Sequence, residues 1–253
     1  MRIAIVSDIH GNLTALEAVA ADIARRGVDQ VVHGGDVALI GARPAEVIDR
    51  VVELGWPGIV GNTDELLWRP EEFAVQLRSA PKLEPLLRML FEQYAPATTE
   101  RIGEERLELL RKLPRQLTIE QLGLVHAAPG DLWRAPMPDA DDDQLQATYG
   151  VVGPQIVIYG HIHRPFVREI GSLTVANAGS VGLPFDGDSR ASYLLVEDHR
   201  AEVIRVDYAI EAEVAVLRAS GYPDADRIAE MLRSGRFVPV RATPRSSHGD
   251  TGR

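Results

Sequence analysis

Through its first sixty residues the chain alternates short β-branched runs with amphipathic stretches. Residues 3–7 read as a buried strand. Leu13, Leu16, Val19 and Ile23 then share one helical face, opened by Thr14-Ala15-Leu16-Glu17 as a capping box and closed by Gly27. Val31-Val32 begins a second strand that runs into Gly34-Gly35-Asp36. Pro44 opens a second helix with Val47, Ile48, Val51 and Val52 inward, and Gly58-Ile59-Val60 is a third short strand. This β-α-β-α-β alternation predicts a largely parallel sheet with ligand sites beyond the carboxyl ends of its strands.

Residues 64–113 read as mainly helical, broken at Pro70, Pro81, Pro85 and Pro96, and are expected to form a cap over the core rather than a separate domain. The second half is richer in strands, at 116–120, 122–126, 155–159, 166–170, 173–176, 192–197 and 202–206. Tight turns such as Gly171-Ser172 predict hairpins and hence a second sheet with antiparallel parts. Helices near 210–219 and 224–234 close the fold. Residues 1–240 are thus expected to form one domain, and 241–253, rich in Ser, Gly, Pro and Arg without an apolar period, a disordered tail.

Composition narrows the function. With 253 residues, 45% of them hydrophobic, the chain can bury a substantial core. It has no cysteine, which excludes disulfides, zinc-thiolate sites and thiol nucleophiles and suits a cytoplasmic protein. The apolar start breaks at Asp8 and His10, too early for a signal peptide, and no stretch approaches a membrane span. The sequon Asn12-Leu13-Thr14 is read as chance. A net charge of −10 argues against extended nucleic acid as a partner. Membrane partners are not expected, and homo-oligomerisation is left open.

Five polar clusters change the picture: Asp8-Ile9-His10, Gly35-Asp36, Gly61-Asn62-Thr63-Asp64, His126, and Gly160-His161-Ile162-His163. Most follow a β-branched run directly. Residues i and i+2 of a strand share a face, so Asp8 and His10 are expected to point together, as are His161 and His163 in their turn. Carboxylate, imidazole and amide are ligands suited to Mn²⁺, Fe, Zn²⁺ or Ni²⁺. Seven such groups match two adjacent ions bridged by a water, the plan of a binuclear hydrolase of phosphate esters. Singly, each cluster has a structural explanation: a turn at Asp36, a helix cap at Asn62, a core histidine at His126. Jointly, five such groups at strand ends point to one site. Around them, His33 reads as a packed strand histidine, Asp139–Asp143 as a helix N-terminus, and Arg43 and Arg190 as surface arginines.

The clusters together resemble the pattern D-x-H, G-D, G-N-H-[DE], H and G-H-x-H of the calcineurin-like metallophosphoesterases, over roughly the first 206 residues. Residues 177–184, the Asp186-Gly187-Asp188 turn and His161-Ile162-His163-Arg164-Pro165 are similar to the small prokaryotic phosphodiesterase branch. The resemblance implies an α/β four-layer sandwich, two mixed sheets flanked by helices. It implies one metal on Asp8, His10 and His163 and a second on Asn62, His126 and His161, with Asp36 bridging. Manganese is the favoured ion, and Fe, Zn²⁺ and Ni²⁺ also suit the set. Asp8, His10, Asp36, Asn62, His126 and Asp64 are the expected catalytic residues, and the partner is a small phosphate ester.

The chain departs from the pattern at Thr63, where the family often has histidine, at Ala127 after His126, and at Ile162. Thr63 removes the usual candidate for orienting phosphate or protonating the leaving group, which bears on substrate range rather than reaction class. The expected activity is phosphodiester hydrolysis by in-line attack of a metal-bridging hydroxide. A phosphomonoesterase or dinucleoside-polyphosphate hydrolase on the same site is the alternative. A non-catalytic scaffold, as in the retromer subunit of this fold, would show ligand loss, and here all seven positions hold competent groups.

Overall fold

The computed structural model describes residues 1–240, and the tail expected at 241–253 lies outside them. In chain order, β1 (Arg2–Val6), α1 (Leu13–Arg26), β2 (Gln30–His33) and α2 (Pro44–Glu53) precede a helical stretch of α3 (Asn62–Glu65), α4 (Glu72–Ser79), α5 (Glu84–Arg88) and α6 (Ala95–Arg111). Then come β3 (Gln116–Ile119), β4 (Leu122–Val125), α7 (Asp142–Tyr149), β5 (Ile156–Tyr159), β6 (Phe166–Ile170) and β7 (Leu173–Asn177). The chain closes with β8 (Ala191–Glu197), β9 (Arg200–Val206), α8 (Ile210–Ala219) and α9 (Ala225–Ser234).

The strands make two mixed sheets, ordered β2-β1-β8-β9 and β3-β4-β5-β7-β6. In the first, β1 is parallel to β2 and antiparallel to β8. In the second, β4, β5 and β7 run parallel, and β3 and β6 pair antiparallel at the edges. The period of two assigns each strand residue to a layer. Ile3, Ile5, Leu122, Leu124, Ile156, Ile158, Leu194 and Val196 fill the space between the sheets. Ala4, Val6, Tyr193 and Leu195 face α1, α2, α6, α8 and α9 on one outside, and Val157, Tyr159 and Val175 face α7 on the other. The result is two mixed sheets flanked by helices, in four layers. The helical stretch adds Leu66, Leu90, Tyr94, Ile102, Leu107 and Leu110 to the same apolar cluster as Ala4 and Val6.

Several local expectations are corrected. The first helix is capped by Asn12, whose Oδ1 accepts the Ala15 N–H at 3.0 Å; Thr14 instead donates its hydroxyl to Glu213 at 2.6 Å. The sequon asparagine is therefore a buried cap, and its side-chain amide also donates to the Gly182 carbonyl. Val52, expected inward, is 58% exposed, because the helix turns only Val47, Ile48 and Val51 to the core. The strand expected at 58–60 shrinks to one parallel bridge between Gly58 and His33. Pro96 does not break the helical stretch: residues 89–94 form a π-helical turn leading directly into α6, so the missing proline N–H falls at its first turn. The interruption lies at Gly103, with φ 70°. No helix among the described residues is long and apolar enough to cross a membrane.

Candidate metal centre

The polar clusters meet beyond the carboxyl ends of the parallel strands. Asp8 and His10 follow β1, Asp36 follows β2, His126 follows β4, and His161 and His163 follow β5. Asn62 opens α3. The reason Asp8 and His10 converge differs from the one expected. Both lie past the end of the strand with φ of 54° and 49°, and Asp36, His161 and His163 are left-handed too, at 54°, 66° and 56°. Asp and His tolerate this region better than most residues, yet each such backbone costs about 1–3 kcal/mol, held by the surrounding structure. Close approach adds to the constraint: a Cβ on Gly61 would stand 2.0 Å from Oδ1 of Asp36, and one on Gly160 2.5 Å from Oδ2 of Asp8.

Two groups form, Asp8 with His10 and His163, and Asp36 with His126 and His161, each offering one ligand atom within 4.8 Å of the others. The adjacent histidines of the G-H-x-H segment thus part into different groups. Asp36 lies between the groups, its Oδ2 3.4 Å from Nε2 of His126 and 3.9 Å from Nε2 of His10. Asn62 Oδ1 stands 2.9 Å from both Nε2 of His126 and Nδ1 of His161.

Backbone carbonyls decide which nitrogen faces inward. Nδ1–H of His10 donates to Leu39 at 2.7 Å, that of His126 to Gly34 at 2.7 Å and that of His163 to Leu183 at 2.5 Å, which leaves their Nε2 atoms for the centre. His161 is reversed: Nε2–H donates to the Trp133 carbonyl at 3.0 Å, and Nδ1 turns in. Nε2 of His10 and Nε2 of His163 therefore face each other as lone pairs at 3.2 Å, beside the Asp8 carboxylate at 3.3 Å from the latter. Acceptors crowded this way are repulsive until a cation lies among them, and the donor types suit divalent transition metals.

Electrostatics separate the two groups. Burial, with His163 nearby, lowers His10 to about 4, and burial with His126 nearby lowers His161 to about 4. Burial opposes charge on His126 as well, but the Asp36 carboxylate outweighs it and raises that imidazole to about 9. Burial would raise Asp36, yet His126 and His10 hold it well below the ordinary carboxylate range. Without metal, the second group thus keeps a proton on His126.

Asp64 is buried beneath the cluster, and its carboxylate accepts the backbone N–H groups of Asp36, Val37, Ala38 and Gly61 at 2.8, 2.9, 3.4 and 3.1 Å. It shapes the loop that carries Asp36. Ser180 does the same for Asp8: its Oγ donates to the Asp8 carbonyl at 2.7 Å and accepts the Leu183 N–H at 2.7 Å. The 179–182 loop thus braces a ligand on each side. His33 is buried outside both groups, lowered to about 4 by burial. Arg43 pairs with Glu213 and Arg190 with Asp188, so neither is left for substrate. Asp141 caps α7, as expected for that acidic run.

A profile of the calcineurin-like phosphoesterase superfamily domain matches residues 1–200. The chain belongs to that superfamily. It is similar to the small prokaryotic phosphodiesterase YfcE of Escherichia coli, at 26% identity over 85% of this chain and 98% of that one. An uncharacterised protein of Methanocaldococcus jannaschii is 32% identical, over 83% of this chain and 88% of the relative. Among solved structures, a metallophosphoesterase from Sphaerobacter thermophilus superposes with a TM-score of 0.75 at 28% identity, covering 93% of this chain and all of that one. The protein is a metal-dependent phosphoesterase.

In the phosphoesterase a pocket of about 120 Å³ lies over the ligating groups. A separate cavity beside Met1, Ile119 and His199 holds no such group. Sequence reasoning had not found five contributors to the site. The carbonyls of Leu39, Gly34, Leu183 and Trp133 leave no side-chain signature. Phe185, stacked on His163 with centroids 4.4 Å apart, has none either. Thr63 was visible as a departure: it lines the pocket at 5% exposure, and its hydroxyl has no hydrogen-bond partner.

Proposed function

We propose that this phosphoesterase holds two divalent ions side by side and hydrolyses small phosphodiesters, within one domain spanning residues 1–240 whose segment 64–113 serves as a cap. The reading is carried by the convergence of inward-facing ligand atoms from four imidazoles, two carboxylates and one amide around Asp36. Asp8, His10 and His163 would hold one ion and Asn62, His126 and His161 the other, with Asp36 reaching both. Mn²⁺ suits this mixed set best, with Fe, Zn²⁺ and Ni²⁺ as alternatives. Divalent cations bound there lower the pKa of water towards neutrality and offset charge on the phosphoryl oxygens. A chain without cysteine suits the cytoplasm.

The residues above the ligands argue for a diester. The pocket's lining includes one formal side-chain cation outside the histidines, Arg227. It is taken up by Asp224, the Tyr94 hydroxyl and the Val238 carbonyl. Among the described residues a dianionic monoester thus finds no formal cation left unpaired beyond the metals, whereas a monoanionic diester needs none. The Thr63 hydroxyl is placed to donate to a phosphate oxygen but is too weak an acid to protonate an alkoxide. The Tyr94 hydroxyl is pushed upward by burial and is no better. Good leaving groups are therefore favoured.

The test is turnover of matched diester and monoester substrates with metal content measured in parallel. Chelation should abolish activity, Mn²⁺ should restore it, and the diester should be the better substrate. Full turnover by metal-free protein would sink the mechanism, and preference for the monoester would sink the substrate class.

A further inference from the structure

The pocket has a polar floor and apolar walls. Asp36, Asn62, Thr63, His10, His161 and His163 form the floor, and Leu86, Leu90, Phe185, Met231 and Phe237 are the apolar part of the wall. The aromatic part is ordered from the floor outward. Phe185 lies on the His163 ring with planes 8° from parallel, and Phe237 meets Phe185 edge-on, at 5.5 Å and 80°. Phe237 keeps 41% of its surface open at the rim. The polar wall residues Tyr94 and Arg227 are bonded to one another at 2.6 Å and both to Asp224, so their polar atoms face each other.

We propose that these walls form a subsite for a planar aromatic ester group, which would extend from a phosphate held on the floor along Leu86, Leu90, Phe185 and Phe237. This inference rests on the phosphoesterase reading of the floor and names the kind of ester that site selects. A sugar or polyol group entering here would shed water and gain little, because among the described residues the polar groups of the wall are largely taken up by one another, four of the five guanidinium N–H groups of Arg227 included. A ring gains by burying its apolar surface, and gains again from contact with an aromatic face and edge already set at the rim. The subsite is continuous with the floor, since the same pocket is lined by His163 and, stacked on it, Phe185.

Phosphonates separate ground-state binding from leaving-group chemistry, because their carbon–phosphorus bond is not cleaved. On the Mn²⁺-loaded full-length enzyme, phenylphosphonate and methylphosphonate are compared as inhibitors of nitrophenyl diester turnover. Phenylphosphonate should bind about tenfold more tightly, and Phe237→Ala should cut that ratio about threefold or more. Leu86→Ala, in the aliphatic part of the wall, should cut it too. A wild-type ratio near one, or a ratio that neither substitution moves, overturns the subsite and leaves the phosphoesterase reading standing. Inhibition by neither phosphonate likewise overturns the subsite, whereas a metal-loaded enzyme that turns over no nitrophenyl diester overturns the reading of the floor and the subsite with it.

Discussion

The floor and the wall of the pocket are built on opposite rules. On the floor, residue type is decided by chemistry: only carboxylate, imidazole or amide presents the required lone pair, and the imidazoles and both ligating carboxylates are held by specific hydrogen bonds to backbone. On the wall, Leu86, Leu90, Met231 and Phe237 need only be apolar and of suitable size. On the proposed reading, the floor carries the reaction class and the wall the choice of substrate. Their energetics differ accordingly. Five of the seven floor ligands bear left-handed backbones, and their crowded acceptors would be relieved by a cation, whereas the wall is stabilised by ordinary burial and by the Arg227–Tyr94–Asp224 clasp.

The comparison breaks most visibly at Asp36. Asp36→Asn removes the carboxylate that lies between both groups, and kcat should fall by about 10³-fold or more with metal lost from both positions. An enzyme retaining both ions and near-normal kcat would show that Asp36 does not join them.

Acidity distinguishes the two halves of the floor. His126, raised to about 9, is protonated at pH 7, so an ion entering its group must displace that proton; His10 and His161, lowered to about 4, are already neutral. Affinity for the second ion should therefore rise by up to about tenfold per pH unit between pH 7 and 9 and level off above, with proton release accompanying binding. Metal titrations in buffers of different ionisation enthalpy give both quantities. A pH-independent second ion would mean that His126 is not protonated in the metal-free protein.

A smaller effect is expected one layer beneath the floor. Ser180→Ala removes the hydroxyl that ties the Asp8 carbonyl to the Leu183 N–H, next to the carbonyl that orients His163. Affinity for the ion of the Asp8 group should weaken about 10–100-fold, as for other outer-shell partners, while the second ion is held as before. Equal weakening of both would make Ser180 a general stability residue instead.

The smallest effect belongs to the wall. Tyr94→Phe deletes a buried hydroxyl shared by Arg227 and Asp224 and should cost about 1–2 kcal/mol of stability, measured by denaturant unfolding of the metal-free protein. Metal affinity should stay as it was. A shift in metal affinity larger than the shift in stability would mean that wall and floor are coupled.

The sequence by itself determined the chemistry of the floor and most of the elements. Residue types at strand ends, Gly27 as a helix stop and the period of two in the strands are local signals, legible without partners. Strands at 166–170 and the helix at 210–219 needed no adjustment. Where local signals competed, the tertiary structure chose. Asn12 rather than Thr14 caps α1 because Thr14 is drawn to Glu213, 199 residues away. Val52 faces solvent because the helix offers the core a narrower face than its apolar residues cover. The inward nitrogen of each imidazole is set by carbonyls 20 to 92 residues distant, and a carbonyl is identical in every residue, so no sequence pattern announces it. The shared direction of Asp8 and His10 came from left-handed backbone rather than strand pleat, a conformation held by the packing around it. The apolar wall was decided wholly in three dimensions, by helices distant in sequence that close over one face of the site, since apolar residues look alike whether they fill a core or line a pocket.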